Sequence, residues 1–385
     1  MLKRFRVQGF RSCQDVTLDN LGYVTALIGH NGSGKTNLLR AIELFARAAS
    51  APGISTDTSE FWASVATAEA EILLGESSLR YTVQFCARLD PADLRLRETL
   101  EIIQGSKTTT LVVRDGDQLN ISGTTISVGQ SLALPTLNAI LPETDPLKRQ
   151  YLTPLASFLD AVTYYPLDEH TAAEGLDASS IVFSSQFKEW LSRNQTSGLP
   201  DNSIVLSLLH AYLNDRYKFD EIQQLLGPLG LGLIDHIEVL EVGAGAPELY
   251  AIAFAPGPLL GGSSGHVYHF GELSLGTRRI IRLVASLVLD DSSVMLIEHP
   301  EDGIHRGLVK KLIDLISSYA NPKQVILSTH STTVMNALQP ADIRLVTIED
   351  GSTQVRPLSP KEVALAENYI NEEGSLAEFI ETVEG

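Results

Sequence analysis

The order of apolar and polar residues over the first fifty positions predicts two strands followed by a helix. Apolar and charged side chains alternate over residues 2–10, which is typical of a strand with one buried face. Residues 23–28, YVTALI, predict a second strand, and apolar positions then recur at helical spacing from 37 to 49. The chain therefore begins with a predicted strand–loop–helix unit.

The middle of the chain changes its periodicity twice. Short alternating runs such as LRYTVQFCARL and TTTLVVRDG, separated by turn residues, occupy residues 70–130 and favour an antiparallel meander. Residues 147–232 then show mostly helical spacing with Pro and Gly interruptions. Sustained heptads are missing from this stretch of sequence, so we expect no long coiled-coil arm.

The last third alternates strand and helix patterns, which favours a parallel sheet with helical crossovers. An apolar strand VMLIE is followed by the helical pattern LVKKLIDLISSYA and the strand QVILS. We therefore predict an α/β fold with a mixed or parallel core sheet, an antiparallel β-lobe and a helical insertion. The predicted segments are 1–146, 147–234 and 235–385.

Composition and charge limit the classes of function. The chain has 385 residues, is 44% hydrophobic and carries a formal net charge of −18, which suits a globular protein but repels nucleic-acid phosphate unless a local basic patch exists. The two cysteines, Cys13 and Cys86, favour a reducing compartment and argue against a zinc or disulfide framework. Because no apolar run approaches about 18 residues and the N-terminus lacks a signal-peptide pattern, we expect a cytoplasmic protein without membrane contact.

A complete phosphate-binding motif lies between the second strand and the first helix. The residues are Gly29, His30, Asn31, Gly32, Ser33, Gly34, Lys35 and Thr36, and they match GxxxxGK[ST] in the required context. Glycines let the backbone amides point at phosphate oxygens, and the following helix adds its positive end. We expect Lys35 to reach the β- and γ-phosphates of ATP and the Thr36 hydroxyl to bind Mg²⁺.

Three elements further along the chain are more specific in their joint order and spacing than any one of them alone. The sequence LSLGTRR at 273–279 opens a helix with Ser274 and Gly276, a combination that presents a hydroxyl and bare amides to an anion. Glu298 ends an apolar strand and suits a Mg²⁺ ligand. His330 ends the next predicted strand about thirty residues later.

With these motifs, GFRS at 9–12 and STHS at 328–331, the chain resembles the ABC-type heads of the SMC and overcoming-lysogenization-defect (OLD) superfamily of P-loop ATPases. It looks most like the stand-alone AAA-like ATPases of bacterial defence operons. The resemblance implies an ABC-ATPase-like head that pairs with a second head around two ATP molecules. The matched motifs extend from near the start to near the end of the chain, although residues 50–260 contain no motif that can be matched sharply.

The resemblance also implies residue roles. Arg11 would lie near the nucleotide together with Asn37, which follows the phosphate loop. Ser274 and Gly276 would cap the γ-phosphate held by the opposite subunit, and His330 would sense that phosphate. Residues 303–305 would form the loop that crosses the dimer interface, and a glutamine of the Q-loop would be either Gln84 or Gln130.

One position departs from the family pattern. Many relatives carry two acids at the end of the Walker B strand, whereas here the pair is Glu298 and His299. Neutral imidazole can accept a proton near its ordinary pKa of about 6.5, and imidazolium can stabilise charge. Glu301 is a second candidate for orienting the attacking water. Because phosphoryl transfer depends mainly on positioning and charge stabilisation, we expect slow hydrolysis rather than none.

These expectations leave three functional hypotheses. The first is an ATP- and Mg²⁺-dependent head-dimer switch that controls a separate effector, a nuclease or toxin, in defence against phage. The second is a DNA repair or recombination ATPase that clamps duplex DNA, for which two groups of residues would supply local positive charge: Lys3, Arg4, Arg6 and Arg11, and separately Arg278 and Arg279. The third is an ATP-binding scaffold that does not hydrolyse ATP, which His299 suggests.

Overall fold

The computed structural model describes residues 1–50, 66–86, 95–121, 123–128, 132–166, 176–197, 203–243, 248–260, 266–372 and 374–384. The chain forms two compact units. The first comprises Met1–Tyr165, Ser292–Pro300 and Ser317–Gly385, and the second comprises Pro166–Asp291 and Glu301–Ile316.

The strands, numbered in chain order, are β1 (Leu2–Phe10), β2 (Cys13–Leu18), β3 (Val24–Ile28), β4 (Thr67–Leu74), β5 (Ser77–Cys86), β6 (Arg95–Gln104), β7 (Lys107–Asp115), β8 (Gln118–Ile121), β9 (Thr124–Ser127), β10 (Val162–Tyr165), β11 (Ile181–Phe183), β12 (Ile234–Val242), β13 (Leu249–Pro256), β14 (Val294–Glu298), β15 (Gln324–Thr329), β16 (Ile343–Glu349) and β17 (Ser352–Pro357).

The α-helices of the described residues are α1 (Lys35–Ser50), α2 (Ala133–Ile140), α3 (Thr153–Asp160), α4 (Leu176–Ser179), α5 (Ser184–Ser197), α6 (Ile204–Asn214), α7 (Arg216–Leu226), α8 (Leu275–Leu289), α9 (Arg306–Tyr319), α10 (Thr332–Met335), α11 (Pro360–Asn371) and α12 (Leu376–Glu384). Within the described ranges, every helix is too short or too polar to cross a membrane.

The core sheet of the first unit has six strands in the order β10-β14-β15-β3-β16-β17. The first five strands are parallel to their neighbours, and β17 closes the edge as the antiparallel half of a hairpin with β16. The strands β14 and β15 are buried along nearly their whole length, as expected for parallel strands covered on both faces. This part of the predicted fold class is confirmed.

The second sheet of the first unit is an antiparallel β-lobe of eight strands in the order β2-β1-β4-β5-β6-β7-β8-β9. Helix α1 contacts β1 of the β-lobe and β10, β14 and β15 of the core sheet. Buried residues lie on most sides of this helix, among them Leu38, Leu39, Ile42 and Phe45. The β-lobe was correctly predicted as a meander, but the strand pattern missed β2 and β8.

The second unit contains a three-stranded antiparallel sheet, β11-β13-β12, together with helices α4 to α8 and most of α9. Helix α8 contacts α6 and α7. The segment predicted as mostly helical also supplies two strands that the sequence pattern did not reveal. Strand β10 joins the core sheet, and β11 joins the small sheet.

Candidate functional site

The carboxyl ends of the parallel strands bring several predicted residues to one edge of the core sheet. Glu298 at the end of β14 is in register with Ser328 of β15, and Ser328 is in register with Leu27 of β3. His330 follows β15, and the phosphate loop follows β3. Ligands of open α/β sheets bind at this edge, so the location agrees with the predicted chemistry.

The phosphate loop has the backbone that its glycines predict. Gly32 and Gly34 have φ angles of 83° and 102°, in the region that glycine adopts without steric penalty. The buried ammonium of Lys35 donates hydrogen bonds to the carbonyls of Gly29 (2.7 Å) and His30 (2.9 Å). The lysine charge is therefore held inside the curl of the loop, at the start of α1.

The β16–β17 hairpin supports both ends of this loop. A Cβ atom on Gly29 would lie 2.0 Å from the carbonyl oxygen of Val346, and one on Gly34 would lie 2.0 Å from the Thr353 hydroxyl. That hydroxyl donates to the Ser33 carbonyl at 2.9 Å. Close packing against the hairpin therefore explains why both positions are glycine.

A polar network joins Thr353 to the turn after β1. The Thr353 hydroxyl lies 2.8 Å from the Ser12 hydroxyl, and the Thr353 amide donates to the Ser12 carbonyl at 2.8 Å. The side-chain amide of Asn37 also donates to the Ser12 hydroxyl, at 2.8 Å. Sequence reasoning missed Thr353, because a threonine in an edge hairpin has no motif of its own.

Arg11 lies beside this network. It has a φ of 52°, its guanidinium lies 3.4 Å from the side-chain oxygen of Asn37, and it is 5.1 Å from the Phe10 ring centroid. Arg11 is exposed, as are His30 and Asn31 at the tip of the phosphate loop. Arg11 therefore lies on the solvent side of the loop, next to Asn37.

Glu298 contacts Thr36, the other predicted magnesium ligand, and one further side chain. The Thr36 hydroxyl hydrogen-bonds to one carboxylate oxygen of Glu298, and the phenol of Tyr164 donates to the other. A hydroxyl and a carboxylate are oxygen ligands of the kind that Mg²⁺ prefers, so this pair fits a magnesium ion. Tyr164 was missed in the sequence analysis, because β10 was not recognised as a strand of the core sheet.

The environment of Tyr164 keeps its phenol protonated. Burial raises the pKa of Tyr164 well above its usual value, and the hydrogen bond and charge of Glu298 raise it further. The guanidinium of Arg40 opposes this shift and lies 4.8 Å from the ring centroid. Tyr164 is therefore a neutral hydrogen-bond donor to Glu298 throughout the working pH range.

His299 and His330 form a pair next to this carboxylate. Their ring centroids are 5.0 Å apart, with the planes inclined by 64°. His299 has a φ of 43°, which is uncommon for a residue with a side chain, and its amide donates to the Ser328 carbonyl at 3.0 Å. The chain thus turns sharply directly after Glu298 and places the two imidazoles edge to face.

The predicted signature belongs to the second unit. The Ser274 hydroxyl caps α8 by accepting from the Thr277 amide at 3.2 Å, and Ser274 is exposed. A Cβ atom on Gly276 would lie 2.0 Å from the Gly303 carbonyl oxygen. The signature and the predicted interface loop therefore pack backbone against backbone. The carbonyl of Glu301 accepts from the Ile304 amide at 3.1 Å within the same loop.

The predicted site residues thus fall into two groups. The first unit gathers the phosphate loop, Asn37, Arg11, Glu298, His299 and His330, whereas the second unit gathers Ser274, Gly276 and Glu301. Gln84 lies in β5 of the antiparallel β-lobe. Gln130 lies outside the residues that the structure describes.

The two β1 arginines considered for DNA binding are paired with acids. Arg4 lies 2.7 Å from Glu69 and 3.3 Å from Asp19, and Arg6 lies 2.8 Å from Asp15. Neutralised charges of this kind contribute little to phosphate attraction. The β1 strand therefore gives weaker support for a DNA clamp than its sequence alone suggested.

Two family models and one curated protein match parts of this chain. Residues 167–336 match the family model "AAA domain, putative AbiEii toxin, Type IV TA system", and residues 1–105 match the model "AAA ATPase domain". A 44-residue stretch is 54% identical to an OLD nuclease of Thermus scotoductus. That stretch is 11% of this chain and 8% of the nuclease.

Two solved structures share the fold. An Smc head bound to the C-winged helix domain of ScpA has 15% identity and a TM-score of 0.53, and the match covers 94% of this chain and 99% of that one. An Smc head with an extended coiled coil, bound to the C-terminal domain of ScpA derived from Pyrococcus furiosus, has 14% identity and a TM-score of 0.50, with 96% and 99% covered.

The fold is therefore that of an SMC-type ABC-ATPase head, and the described residues show no coiled coil. Together with the two AAA family models and the partial OLD nuclease match, this supports an SMC-like, OLD-related P-loop ATPase.

Proposed function

We propose that this protein is an ATP-binding, slowly ATP-hydrolysing head that dimerises around nucleotide and acts as a switch for a separate effector. The observation that carries the proposal is the direct contact between Thr36 of the phosphate loop and Glu298 of β14. It joins the phosphate-binding and cation-binding halves of a P-loop ATPase site at the carboxyl edge of the core sheet.

The residues around this contact have distinct roles in the proposal. The loop amides and Lys35 hold the β- and γ-phosphates, and Thr36 and Glu298 hold Mg²⁺. The ion, when bound, neutralises charge on the phosphate oxygens. His330 lies beyond the adjacent strand and contacts the γ-phosphate, while Arg11 and Asn37 flank the nucleotide from the turn after β1.

Hydrolysis is slow in this proposal because an imidazole follows Glu298 where many relatives carry a second acid. His299 accepts a proton from the attacking water when it is neutral, and stabilises charge when it is protonated. Its edge-to-face packing on His330 links the two imidazoles at the phosphate side of the sheet. Glu301, in the loop of the second unit, is the alternative group that orients the water.

Dimerisation follows from the chemistry of the signature. Ser274 is exposed at the N-terminus of α8, where a hydroxyl, free amides and the helix dipole suit a phosphate. In the proposed dimer this helix start meets the γ-phosphate in the second copy. ATP then stabilises the closed dimer because it contacts both copies only in that state.

A separate effector is the final part of the proposal. The AAA model matched by residues 167–336 names a toxin–antitoxin system, and the two Smc heads were solved with a bound ScpA domain. We infer that closure of the dimer holds or releases a nuclease or toxin, in defence against phage in the bacterial cytoplasm.

The proposal is tested by nucleotide binding and assembly in solution. We expect Lys35→Ala to weaken ATP binding by about a hundredfold, since it removes the only charged side chain within the loop motif. Ser274→Arg should leave ATP binding by the monomer intact but prevent ATP-dependent dimerisation, measured by light scattering. The proposed function is wrong if neither change affects binding or assembly.

Phosphate release separates the switch from a scaffold that does not hydrolyse ATP. Glu298→Gln, His299→Ala and Glu301→Gln should be compared with the unaltered protein at equal ATP occupancy. We expect Glu298→Gln to abolish turnover. Of the other two variants, the one that removes the residue that orients the water should reduce turnover by about 10²-fold or more. Turnover that is undetectable in the unaltered protein would favour the scaffold.

A further inference from the structure

Strand β10 brings to the site a residue that lies outside the motifs identified in the sequence. It pairs in parallel with β14, with Tyr164 in register with Leu296, two positions before Glu298. The phenol of Tyr164 donates to one carboxylate oxygen of Glu298, and the Thr36 hydroxyl contacts the other. Each oxygen of the carboxylate therefore has its own partner.

The ring of Tyr164 also contacts a side chain of α1. The guanidinium of Arg40 lies 4.8 Å from the ring centroid, a distance at which a cation is attracted to an aromatic face. Arg40 follows Thr36 by four residues, so the two lie on the same face of α1. The contacts thus form a closed loop from Thr36 through Glu298 and Tyr164 to Arg40, and back along the helix.

We propose that Tyr164 is a positioning residue that sets the orientation of the Glu298 carboxylate toward the divalent cation. The inference rests on the proposed function, because it assumes that Thr36 and Glu298 hold this cation. A carboxylate rotates about its last single bond, and a hydrogen bond to one oxygen selects the direction in which the other points. Outer partners of metal-binding carboxylates typically change metal affinity by about 10- to 100-fold.

The choice of donor suits this role. A phenol donates one hydrogen bond without adding positive charge, so the carboxylate keeps its full attraction for a cation. A lysine or arginine at the same place would compete with the cation by pairing with Glu298. Arg40 is directed instead at the ring of Tyr164, and its NH1 group also pairs with Glu43 at 2.9 Å.

A purely structural role makes a different prediction. If Tyr164 only closes the edge of the core sheet, its removal changes the stability of the fold and leaves cation affinity unaltered. The discriminating measurement is therefore the affinity for a divalent cation. It is made with a non-hydrolysable ATP analogue bound, so that turnover does not enter the result.

The test is Mn²⁺ binding to Tyr164→Phe, followed by the loss of the free-ion signal in electron paramagnetic resonance. We expect Mn²⁺ binding to be about tenfold weaker than in the unaltered protein. Affinity for the analogue in excess chelator should change by less than about twofold, because the phosphate loop is untouched. Tyr165→Phe is the matched control, since adjacent strand residues point to opposite faces, and it should leave Mn²⁺ affinity unaltered.

A second variant serves if Tyr164→Phe fails to fold. Arg40→Met keeps an apolar contact with the ring but removes the cation, while Glu43 keeps its partner Arg47 at 3.1 Å. We expect Mn²⁺ binding two- to threefold weaker. Unaltered Mn²⁺ affinity in the folded variants would overturn the role of Tyr164. Failure of the unaltered protein to bind the analogue or Mn²⁺ would instead overturn the proposed function itself.

Discussion

The phosphate-loop region and the antiparallel β-lobe both bury charged side chains, but they satisfy them in different ways. In the β-lobe, Glu98 and Arg114 are 1% and 2% exposed and lie 2.9 Å apart. Glu98 also accepts from the Tyr81 phenol. The Ala133 amide lies 2.9 and 2.8 Å from its two carboxylate oxygens. The buried charge of Glu98 is thus matched by groups of the β-lobe and the start of α2.

At the phosphate loop and the end of β14, the charged side chains make hydrogen bonds to uncharged groups. Lys35 donates to two loop carbonyls, and Glu298 accepts from a threonine and a tyrosine. A ligand can therefore replace such contacts, whereas an ion pair sealed inside the β-lobe is already neutral.

The comparison teaches that burial of a charged residue does not by itself mark a functional site. Burial raises the pKa of Glu98, and the hydrogen bonds from Tyr81, Ala133 and Arg114 oppose the rise. The pKa perturbation comes from a folding contact that joins β6, β7 and the start of α2. What distinguishes Glu298 is its place at the carboxyl edge of a parallel sheet, beside a phosphate loop.

The largest effect on stability should follow from removing the charge of Glu98 in the β-lobe cluster. Glu98→Gln keeps the volume but leaves the Arg114 charge buried without its counter-ion, which typically costs about 3–5 kcal/mol. We expect a loss of at least about 3 kcal/mol in the free energy of unfolding, measured by urea denaturation, with nucleotide affinity unaltered in the folded fraction.

Its control is a partly exposed glutamate on the same strand. Glu101 lies 3.8 Å from Arg80, and the two side chains are 24% and 30% exposed, whereas pairs with access to solvent contribute about 1 kcal/mol or less. Glu101→Gln should therefore be nearly neutral. If fully folded Glu98→Gln bound nucleotide more weakly than the unaltered protein, the β-lobe cluster would not be separate from the nucleotide site.

A smaller effect should follow from removing the hydroxyl that supports the phosphate loop. Thr353→Val keeps the shape but leaves the Ser33 carbonyl without the hydrogen bond at 2.9 Å, at a cost of about 1–2 kcal/mol. Because that carbonyl belongs to the loop, we expect ATP affinity to fall several-fold, measured by calorimetry, with a modest loss of unfolding free energy.

Two variants control this prediction. Thr353→Ser retains the hydroxyl and should restore most of the ATP affinity. Thr347→Val changes an exposed threonine of β16 in the same hairpin and should have no effect. Equal ATP affinity in Thr353→Val and the unaltered protein would show that the hairpin supports the fold but not the loop.

The sequence predicted the residues of the phosphate loop and Glu298 because their chemistry requires fixed types at fixed spacing. Gly32 and Gly34 are needed for a positive φ, and the strand VMLIE must end in an acid to reach the loop. The parallel sheet followed from the strand–helix alternation. All of these signals are local in the chain.

Tyr164 and Thr353 were not predictable, because their contacts with the site are not local in the chain. Each contacts the site across more than a hundred residues of chain, and neither belongs to a periodic pattern that singles it out. Strand β10 has only four residues within a mostly helical stretch, so its pattern was too short to compete with its surroundings. Such residues emerge only once the strand order is known.

The smallest effect should come from an ion pair that has nitrogen–oxygen distances like that between Arg114 and Glu98 but faces solvent. Arg6 holds Asp15 with two hydrogen bonds of 2.9 and 2.8 Å, yet the side chains are 35% and 52% exposed. We expect Asp15→Asn to lower the unfolding free energy by about 0.5 kcal/mol. In about 1 M salt the difference should disappear, because exposed charges are screened.

The pH dependence of this pair has a fixed sign. The hydrogen bond from Arg6 lowers the pKa of Asp15, so the carboxylate binds its proton less readily in the folded protein than in the unfolded one. The stabilisation is therefore present above the ordinary aspartate pKa of about 3.9 and is lost as the pH falls through the lowered value. Two outcomes would contradict this prediction. The difference in unfolding free energy between Asp15→Asn and the unaltered protein could grow on acidification, or it could remain at several kcal/mol in high salt. Either result would show that burial is not what separates this pair from Glu98 and Arg114.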